Sequence, residues 1–93
     1  QNNYLRLNIL FDLKSLAIAI IGYGKMGKMI ASTAQKRGHH IGCVIDQPED
    51  WDISIEQFMT CNVAIDFSIP TAAIENMKKC FELKVPVVVG TTA

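Results

Sequence analysis

Apolar residues along the chain follow two alternating spacings. Residues 16–21 form a continuous apolar run that stops at Gly22, which is typical of a strand buried on both faces of a sheet. From residue 25 to residue 37 the apolar side chains recur at intervals of three and four, which predicts a helix with one buried face. Gly38 is placed to end this helix. Its predicted buried face consists of Met26, Met29, Ile30, Thr33 and Ala34.

The alternation continues along the rest of the chain. Three further strands are predicted, over residues 40–46, 62–67 and 85–89. The segment Gln-Pro-Glu-Asp at residues 47–50 predicts a loop. Ser54 followed by Gln57 predicts a capping box for a short helix that runs to about Thr60.

A last helix is predicted to begin near Ser68. Serine is a favourable helix cap, and Pro70 fits a first helical turn because the N–H that it lacks is not needed there. The core-facing stripe of this helix is predicted to be Ile74, Met77 and Phe81. Strands and helices that alternate at this spacing form parallel strands joined by right-handed crossovers, so the fold class is α/β.

Residues 1–15 do not belong to this alternation. Their apolar side chains recur with period two, which fits an edge strand or a hairpin arm, whereas the simpler interpretation is a poorly ordered extension or an expression-derived leader. These apolar positions are Leu5, Leu7, Ile9, Phe11 and Leu13. We therefore expect an N-terminal extension over residues 1–15 and one folded domain over residues 16–93.

Composition narrows the class of protein. The chain has 93 residues, of which 49% are hydrophobic and 19% are charged, so it can bury one core and is not intrinsically disordered. Nine basic residues balance nine acidic ones, which argues against nucleic acid or an anionic membrane as a partner held by bulk charge. The longest apolar run is far shorter than the ~20 residues needed to cross a bilayer, and the first residues lack a secretory pattern.

The three cysteines are Cys43, Cys61 and Cys80. They are odd in number and widely spaced, and each lies among apolar residues. This pattern favours buried thiols in a reducing compartment over a disulfide framework or a metal site. Together with the lack of a membrane or secretion pattern, it predicts a soluble, cytoplasmic protein without a bound metal.

The segment Gly22-Tyr-Gly-Lys-Met-Gly27 matches the pattern G-x-G-x-x-G between a buried strand and a helix. In that context Gly22 makes a tight turn, Gly24 lets a pyrophosphate approach the backbone, and Gly27 lets the helix pack against the strand. The helix N-terminus would then offer unpaired N–H groups to the anion. The alternative is a tight turn with nothing bound to it.

Two lysines, Lys25 and Lys28, lie in the first turn of this helix. A cation there opposes the helix dipole at a cost of ~0.3–1 kcal/mol, and a bound diphosphate would reverse the sign of that effect. A helix that departs in this way from the usual preference for acidic residues in its first turn often has a functional site there. The alternative is that both lysines extend into solvent, where the cost is small.

Asp46 ends the second predicted strand, nineteen residues after Gly27, where a carboxylate accepts hydrogen bonds from the hydroxyls of an adenosine ribose. Gln47 comes next, in place of the arginine that would hold a 2′-phosphate, and Asp46 would repel that phosphate. The sequence therefore predicts that NADH binds in preference to NADPH, with Lys25 as the residue that could weaken the preference. The alternative is a solvated loop acid, since three more acidic residues follow closely: Glu49, Asp50 and Asp52.

Two later segments should lie at the same edge of the sheet, because ligands bind outside the carboxyl ends of parallel strands. They are Asp66-Phe-Ser and Gly90-Thr-Thr. Their small, hydroxyl and backbone donor groups lie where the nicotinamide half of a dinucleotide would bind. The alternative for Phe67 is that its ring packs in the core. The alternative for the two threonines is that they simply follow the last strand and contact no ligand.

At these three blocks the sequence resembles the N-terminal domain of the dihydrodipicolinate reductase (4-hydroxy-tetrahydrodipicolinate reductase) family. The blocks occupy residues 21–27, 63–68 and 86–92, in the family's order, and the resemblance covers residues 14–93. The pairing of Asp-Phe-Ser with Gly-Thr-Thr carries most of its specificity. It implies a Rossmann-type parallel sheet with flanking helices, incomplete because the chain would be the N-terminal part of a two-domain enzyme.

The resemblance implies a reductase of the bacterial and plant lysine and diaminopimelate pathway. Such an enzyme passes a hydride from NADH or NADPH to a cyclic dicarboxylic imine, and it would be a homo-oligomer at full length. The implied cofactor-binding residues are Gly22, Gly24, Lys25, Met26, Gly27, Asp46, Phe67, Ser68, Gly90, Thr91 and Thr92. The first five would hold the pyrophosphate, Asp46 the adenosine ribose, and the others the nicotinamide.

Parts of the family pattern have no counterpart in this chain. The family's second domain carries a His-His pair with a following lysine and a Ser-Gly-Thr stretch, and residues 1–13 match nothing in the pattern. His39-His40 is not that pair, because it begins the second strand at the opposite end of the sheet and Cys43 stands where the motif has lysine. Nor does any residue have an evident role as a general acid for the imine nitrogen. We therefore expect a cofactor platform that cannot turn over alone, with its C-terminal substrate domain outside the 93 residues.

Other functions share parts of these patterns. Another two-domain nicotinamide-dependent oxidoreductase, of the aspartate dehydrogenase or sugar dehydrogenase type, would have the same glycine turn and acidic ribose partner. A non-catalytic module could use the turn to sense NADH or coenzyme A. A truncated translation product would leave an unfinished sheet with an exposed valine-rich strand.

Overall fold

The computed structural model describes residues 15–90, so the period-two segment and the predicted positions Thr91 and Thr92 lie outside the described residues. Strands and helices alternate in the order β1 (Ala17–Ile21), α1 (Lys25–Lys36), β2 (His40–Ile45), α2 (Asp50–Met59), β3 (Val63–Asp66), α3 (Pro70–Glu82) and β4 (Val87–Val89). Each strand lies where the apolar runs predicted it. No helix within this range is both long and apolar enough to cross a lipid bilayer.

The strands form one parallel sheet in the order β2-β1-β3-β4. The chain goes from β1 outward to β2, and then crosses back over β1 to reach β3 on its other side. This confirms the predicted α/β class. The sheet is an incomplete Rossmann-type sheet, since the full arrangement repeats the unit a second time.

Side chains of the strands alternate between two faces of the sheet, and each face has its own core. One face packs against α2 and α3, and its core consists of Ala19, Ile21, Cys43, Ile45, Trp51, Phe58, Cys61, Ala64, Cys80 and Val85. The other face packs against α1 through Ile18, Ile20, Ala31 and Ala34. Helices lie on both faces because right-handed crossovers in opposite directions along a sheet leave it on opposite sides.

The predicted buried face of α1 is wrong in part. Its buried residues are Gly27, Ala31 and Ala34, whereas Met26 and Met29 are more than half exposed and Thr33 is also exposed. Small side chains face the sheet because the helix lies very close to β1. A side chain on Gly27 would collide with the Gly22 carbonyl oxygen. The hydrophobic spacing of α1 fits two neighbouring faces of the helix. The short distance between α1 and β1 allows only the face with the smaller residues to lie against the sheet.

The predicted stripe of α3 is displaced by about one residue. Ala73 and Cys80 are buried and Met77 is half-buried, but Ile74 and Phe81 are 59% and 68% exposed. As in α1, the face with the smaller side chains lies against the sheet.

The start of α2 differs from the predicted capping box. The helix begins at Asp50, and Ser54 lies inside it with a non-helical backbone (φ −113°, ψ 15°) instead of capping it. Asp50 Oδ2 accepts hydrogen bonds from the N–H groups of Asp46 and Gln47, both at 2.9 Å. These two hydrogen bonds lower the pKa of Asp50, because they stabilise its charged form. The carboxylate thus joins the end of β2 to the start of α2.

All three cysteines are buried as free thiols, as predicted. Burial raises the pKa of Cys43 and of Cys80 to about 11, and it also raises the pKa of Cys61. The negative charge of Asp66 adds to the shift at Cys80. A thiol in this state is a poor nucleophile, because the thiolate is the reactive form.

We expect these thiols to resist a disulfide reagent in the folded chain at mildly alkaline pH, and to react at once in concentrated urea. Rapid modification of the thiols in the native chain would contradict their assignment as buried groups.

The raised pKa values also predict that the free energy of unfolding falls as pH rises from 9.0 towards about 11, since the unfolded chain loses thiol protons first. Urea unfolding across that range measures the effect, and a Cys80→Ala variant should show a shallower loss.

Candidate functional site

Gly22 joins three parts of the fold at the carboxyl end of β1. Its N–H donates to the carbonyl oxygen of Ile45 at 2.7 Å, and its φ of +86° lies in the left-handed region. A side chain here would place Cβ 2.7 Å from the backbone nitrogen of Ser68. The glycine therefore allows the turn after β1 to lie directly against the turn after β3.

The helix α1 begins immediately after this turn, at Lys25. Gly24 occupies the cap position, and within the described residues no side chain caps the helix and no acidic residue lies in its first turn. The first N–H groups of a helix have no partner inside it and carry its positive dipole end. Space around the Gly24 α-carbon is open to at least 4 Å from a Cβ position. An anion could therefore approach the backbone here, as the glycine pattern predicts.

The side chains at the start of α1 extend outward. Lys25, Met26 and Lys28 are all exposed. The Lys28 ammonium lies 5.7 Å from the centroid of the Tyr23 ring, which holds this charge over the glycine turn.

Asp46 lies beside the glycine turn, at the end of β2. Its Oδ1 accepts a hydrogen bond from the N–H of Tyr23 at 2.9 Å. Within residues 15–90 its Oδ2 has no hydrogen-bond partner. One carboxylate oxygen thus orients the side chain beside the glycine turn.

The turn after β3 is organised by Asp66, which is fully buried. Its Oδ1 accepts a hydrogen bond from the N–H of Ser68 at 2.8 Å, and its Oδ2 is buried without a partner among the described residues. Gly90 follows β4, and its N–H donates to the carbonyl oxygen of Asp66 at 2.8 Å. A Cβ on Gly90 would lie 2.5 Å from Cε1 of Phe67, so this glycine leaves room for that ring.

A cavity of about 840 Å³ opens at this edge of the sheet, between α2 and α3. Five predicted residues line it: Gly22, Gly24, Asp46, Phe67 and Ser68. Lys25, Met26, Gly27 and Gly90 are not among its lining residues. The topology thus brings the glycine turn, the acid after β2 and the turn after β3 to one cavity.

Sequence reasoning missed the helical wall of this cavity. Trp51 and Asp52 lie in α2, and Glu75, Asn76 and Lys79 lie in α3. The Lys79 ammonium is 5.9 Å from the centroid of the Trp51 ring, so the two helices are in contact across the groove. No motif marks these residues, and the single tryptophan was the one local signal available.

His39 and His40 lie at the amino end of β2, as expected. The Nδ1 atom of His39 accepts a hydrogen bond from the N–H of Leu16 at 3.1 Å. This contact supports the start of β1 at the sheet end opposite the cavity. His39 therefore has a structural partner there.

Comparisons with known proteins agree with this geometry. Residues 16–93 match the family model described as dihydrodipicolinate reductase, N-terminus. The chain is 42% identical over 76 residues to the 4-hydroxy-tetrahydrodipicolinate reductase of Christiangramia forsetii, an alignment that covers 81% of this chain and 30% of that protein. The reductase of the same name from Staphylococcus aureus is 34% identical over 83 residues, which cover 83% of this chain and 34% of that protein.

The corresponding protein of Acinetobacter baumannii is 31% identical over 96 residues, covering 81% of this chain and 35% of that protein. The chain thus spans about a third of the length of these curated relatives. The match favours this family over the aspartate dehydrogenase and sugar dehydrogenase types. The chain belongs to the family of the N-terminal domain of dihydrodipicolinate reductase.

Proposed function

We propose that the chain binds the adenosine diphosphate half of a nicotinamide dinucleotide and is the cofactor-binding part of a reductase. One observation carries the proposal: Gly24, which precedes the uncapped N-terminus of α1, and Asp46 line the same cavity. Anions bind at helix N-termini, and a carboxylate at this position binds ribose hydroxyls. Lys25, Met26 and Gly27 would contribute backbone N–H groups to the diphosphate at the edge of the cavity, which they do not line.

The charges of the cavity favour NADH over NADPH. Its acidic lining residues are Asp46, Asp52 and Glu75, and its one basic lining residue within the described range is Lys79, which lies over Trp51. A 2′-phosphate would come close to the Asp46 carboxylate and be repelled by it. The exposed ammonium of Lys25 is the group that could offset this repulsion.

The reaction that we propose rests on the names of the relatives. These relatives are named 4-hydroxy-tetrahydrodipicolinate reductase, and we propose that the full enzyme transfers a hydride from the reduced nicotinamide to a cyclic dicarboxylic imine. This step belongs to lysine and diaminopimelate synthesis, in the cytoplasm. The nicotinamide would lie on the side of Phe67 and Gly90, with Thr91 and Thr92 around it, and Ser68 would lie between it and the adenosine. Residues 16–93 would supply cofactor binding, and a second domain would bind the substrate and provide the proton.

Titration calorimetry with the 93-residue chain tests the binding proposal. NADH and ADP-ribose should bind with similar affinity, because the contacts to the adenosine diphosphate half carry most of the binding. Reduced nicotinamide mononucleotide, which lacks that half, should bind far more weakly. Absence of binding by both NADH and ADP-ribose in a folded sample would refute the proposal.

Replacement of Asp46 should change the choice of cofactor. The native chain is expected to bind NADPH about tenfold more weakly than NADH, which corresponds to ~1.4 kcal/mol of repulsion. An Asp46→Asn variant keeps an oxygen for the Tyr23 N–H and loses the charge, so the two dissociation constants should become nearly equal. Glu49→Gln, which changes an exposed acid outside the cavity, should leave the ratio unchanged. Tighter binding of NADPH by the native chain would contradict the prediction.

A further inference from the structure

One amide group that lines the cavity is held in a defined orientation. Asn76 lies in α3, is half-buried and lines the cavity. Its Nδ2 donates a hydrogen bond to Ser68 Oγ at 3.0 Å. Because Nδ2 points to Ser68, the carbonyl oxygen Oδ1 is the end of the amide left for a ligand.

Ser68 is itself held in place, so it can fix the orientation of this amide. Its N–H donates to Oδ1 of the buried Asp66 at 2.8 Å. Its backbone nitrogen also lies directly below Gly22, where even a methyl group would not fit. The contacts from Asp66 to Ser68 and from Ser68 to Asn76 therefore connect the amide to the glycine turn.

Within residues 15–90, Oδ1 of Asn76 has no hydrogen-bond partner. Apolar groups of Pro48, Trp51, Ile69 and Ala72 line the same cavity and suit the faces of a flat ring. A base bound against these groups would displace water from Oδ1, so the base itself must supply a donor if the oxygen is not to be left unpaired.

We propose that Asn76 is the residue that selects adenine, by accepting a hydrogen bond from its 6-amino group. This inference rests on the proposed function and adds the base specificity of the same site. Hypoxanthine and guanine carry a carbonyl oxygen at that position, so two acceptors would face each other. A site built to hydrogen-bond a donor discriminates against a ligand that lacks it, here by about tenfold.

The test compares NADH with its hypoxanthine analogue, reduced nicotinamide hypoxanthine dinucleotide, which differs in the 6-substituent and the ring proton that follows it. Calorimetry on the 93-residue chain should give about tenfold weaker binding of the analogue. Asn76→Ala should reduce the ratio to near one, whereas Asn76→Asp, which still presents an acceptor, should keep it. Lys78→Ala, an exposed residue of the same helix outside the cavity, is the matched control and should behave as the native chain.

A fourth variant distinguishes a role of Ser68 in orienting the Asn76 amide from a role in packing alone. Ser68→Ala removes the acceptor for Nδ2 and leaves the amide free to rotate, so the hypoxanthine analogue should bind more tightly than it does to the native chain. A merely structural role for Ser68 would weaken both ligands equally. Circular dichroism confirms that each variant is folded.

Equal binding of the two dinucleotides by the native chain would overturn the inference, as would a preference for adenine that survives in Asn76→Ala. Tighter binding of the hypoxanthine analogue would overturn it as well, because it requires the opposite orientation of the amide. Failure of both dinucleotides to bind would refute the proposed function, and the base inference with it. NADH binding without base preference would refute the inference about Asn76 and leave the proposed function intact.

Discussion

Gly22→Ala should lower the free energy of unfolding by about 2–4 kcal/mol and weaken dinucleotide binding at least about tenfold. Two effects of the added side chain combine. A non-glycine residue is strained at φ +86°, and its Cβ would lie 2.7–2.9 Å from backbone atoms of Phe67 and Ser68. Backbone atoms cannot rotate aside as a flexible side chain can, so the turn after β3 would be displaced and the cavity distorted. Urea unfolding and calorimetry with NADH measure the two losses.

Two other glycines separate the causes. Gly38→Ala introduces a side chain at φ +89° into open space, so it should cost only about 1 kcal/mol of stability and leave binding unchanged. Gly24→Ala meets no atom within 4 Å and has a negative φ, so it should leave stability nearly intact. Its methyl group would occupy the approach to the backbone, so dinucleotide binding should weaken. If Gly22→Ala proved as stable as Gly38→Ala, the backbone contact would not be real.

Phe58→Ala is expected to cost about 3–5 kcal/mol, because it removes a large buried ring. Phe58 is a fully buried residue of α2, and its ring packs edge-to-face on Trp51 of the same helix with centroids 4.9 Å apart. That loss is a large part of the ~5–15 kcal/mol of a typical domain. Trp51 also lines the cavity, so loss of its support should weaken dinucleotide binding as well.

Trp51 is the single tryptophan of the chain, so its fluorescence reports both the urea unfolding curve and the local change. Met59→Ala is the matched control, since the neighbouring residue of the same helix is 55% exposed. It should change stability by less than about 0.5 kcal/mol. A loss below about 1 kcal/mol for Phe58→Ala would show that the ring is not part of the packed core.

Much of the site could be predicted because it follows from chain order. Ligand-binding segments of a parallel sheet lie after its strands, so the order of strands and turns is enough to place the glycine turn and Asp46 at one edge. Gly22 and Gly24 line the cavity for the same reason, as do Phe67 and Ser68. These positions depend on residues close in sequence and on a topology that has few alternatives.

The rotation of the helices could not be predicted in the same way. In α1, spacing allowed a stripe that contained Met26 and Met29, yet Gly27, Ala31 and Ala34 are buried. Both stripes have helical periodicity, and the distance between helix and sheet decides between them. That distance is set by contacts such as Gly27 against the Gly22 carbonyl, in which two backbones meet. In the same way, the start of α2 depends on Asp50, whose carboxylate binds N–H groups of the preceding loop.

The positions of the strands, of the glycine turn and of the acid after β2 thus follow from the amino-acid sequence, because burial and turn geometry depend on neighbouring residues. The wall of the cavity depends on residues distant in sequence. Trp51 and Lys79 come into contact because the chain crosses over β1 between β2 and β3, which sets α2 beside α3. The orientation of the Asn76 amide likewise depends on Ser68, which the buried Asp66 holds. Such contacts exist once the sheet has assembled, since no local preference of the chain specifies them.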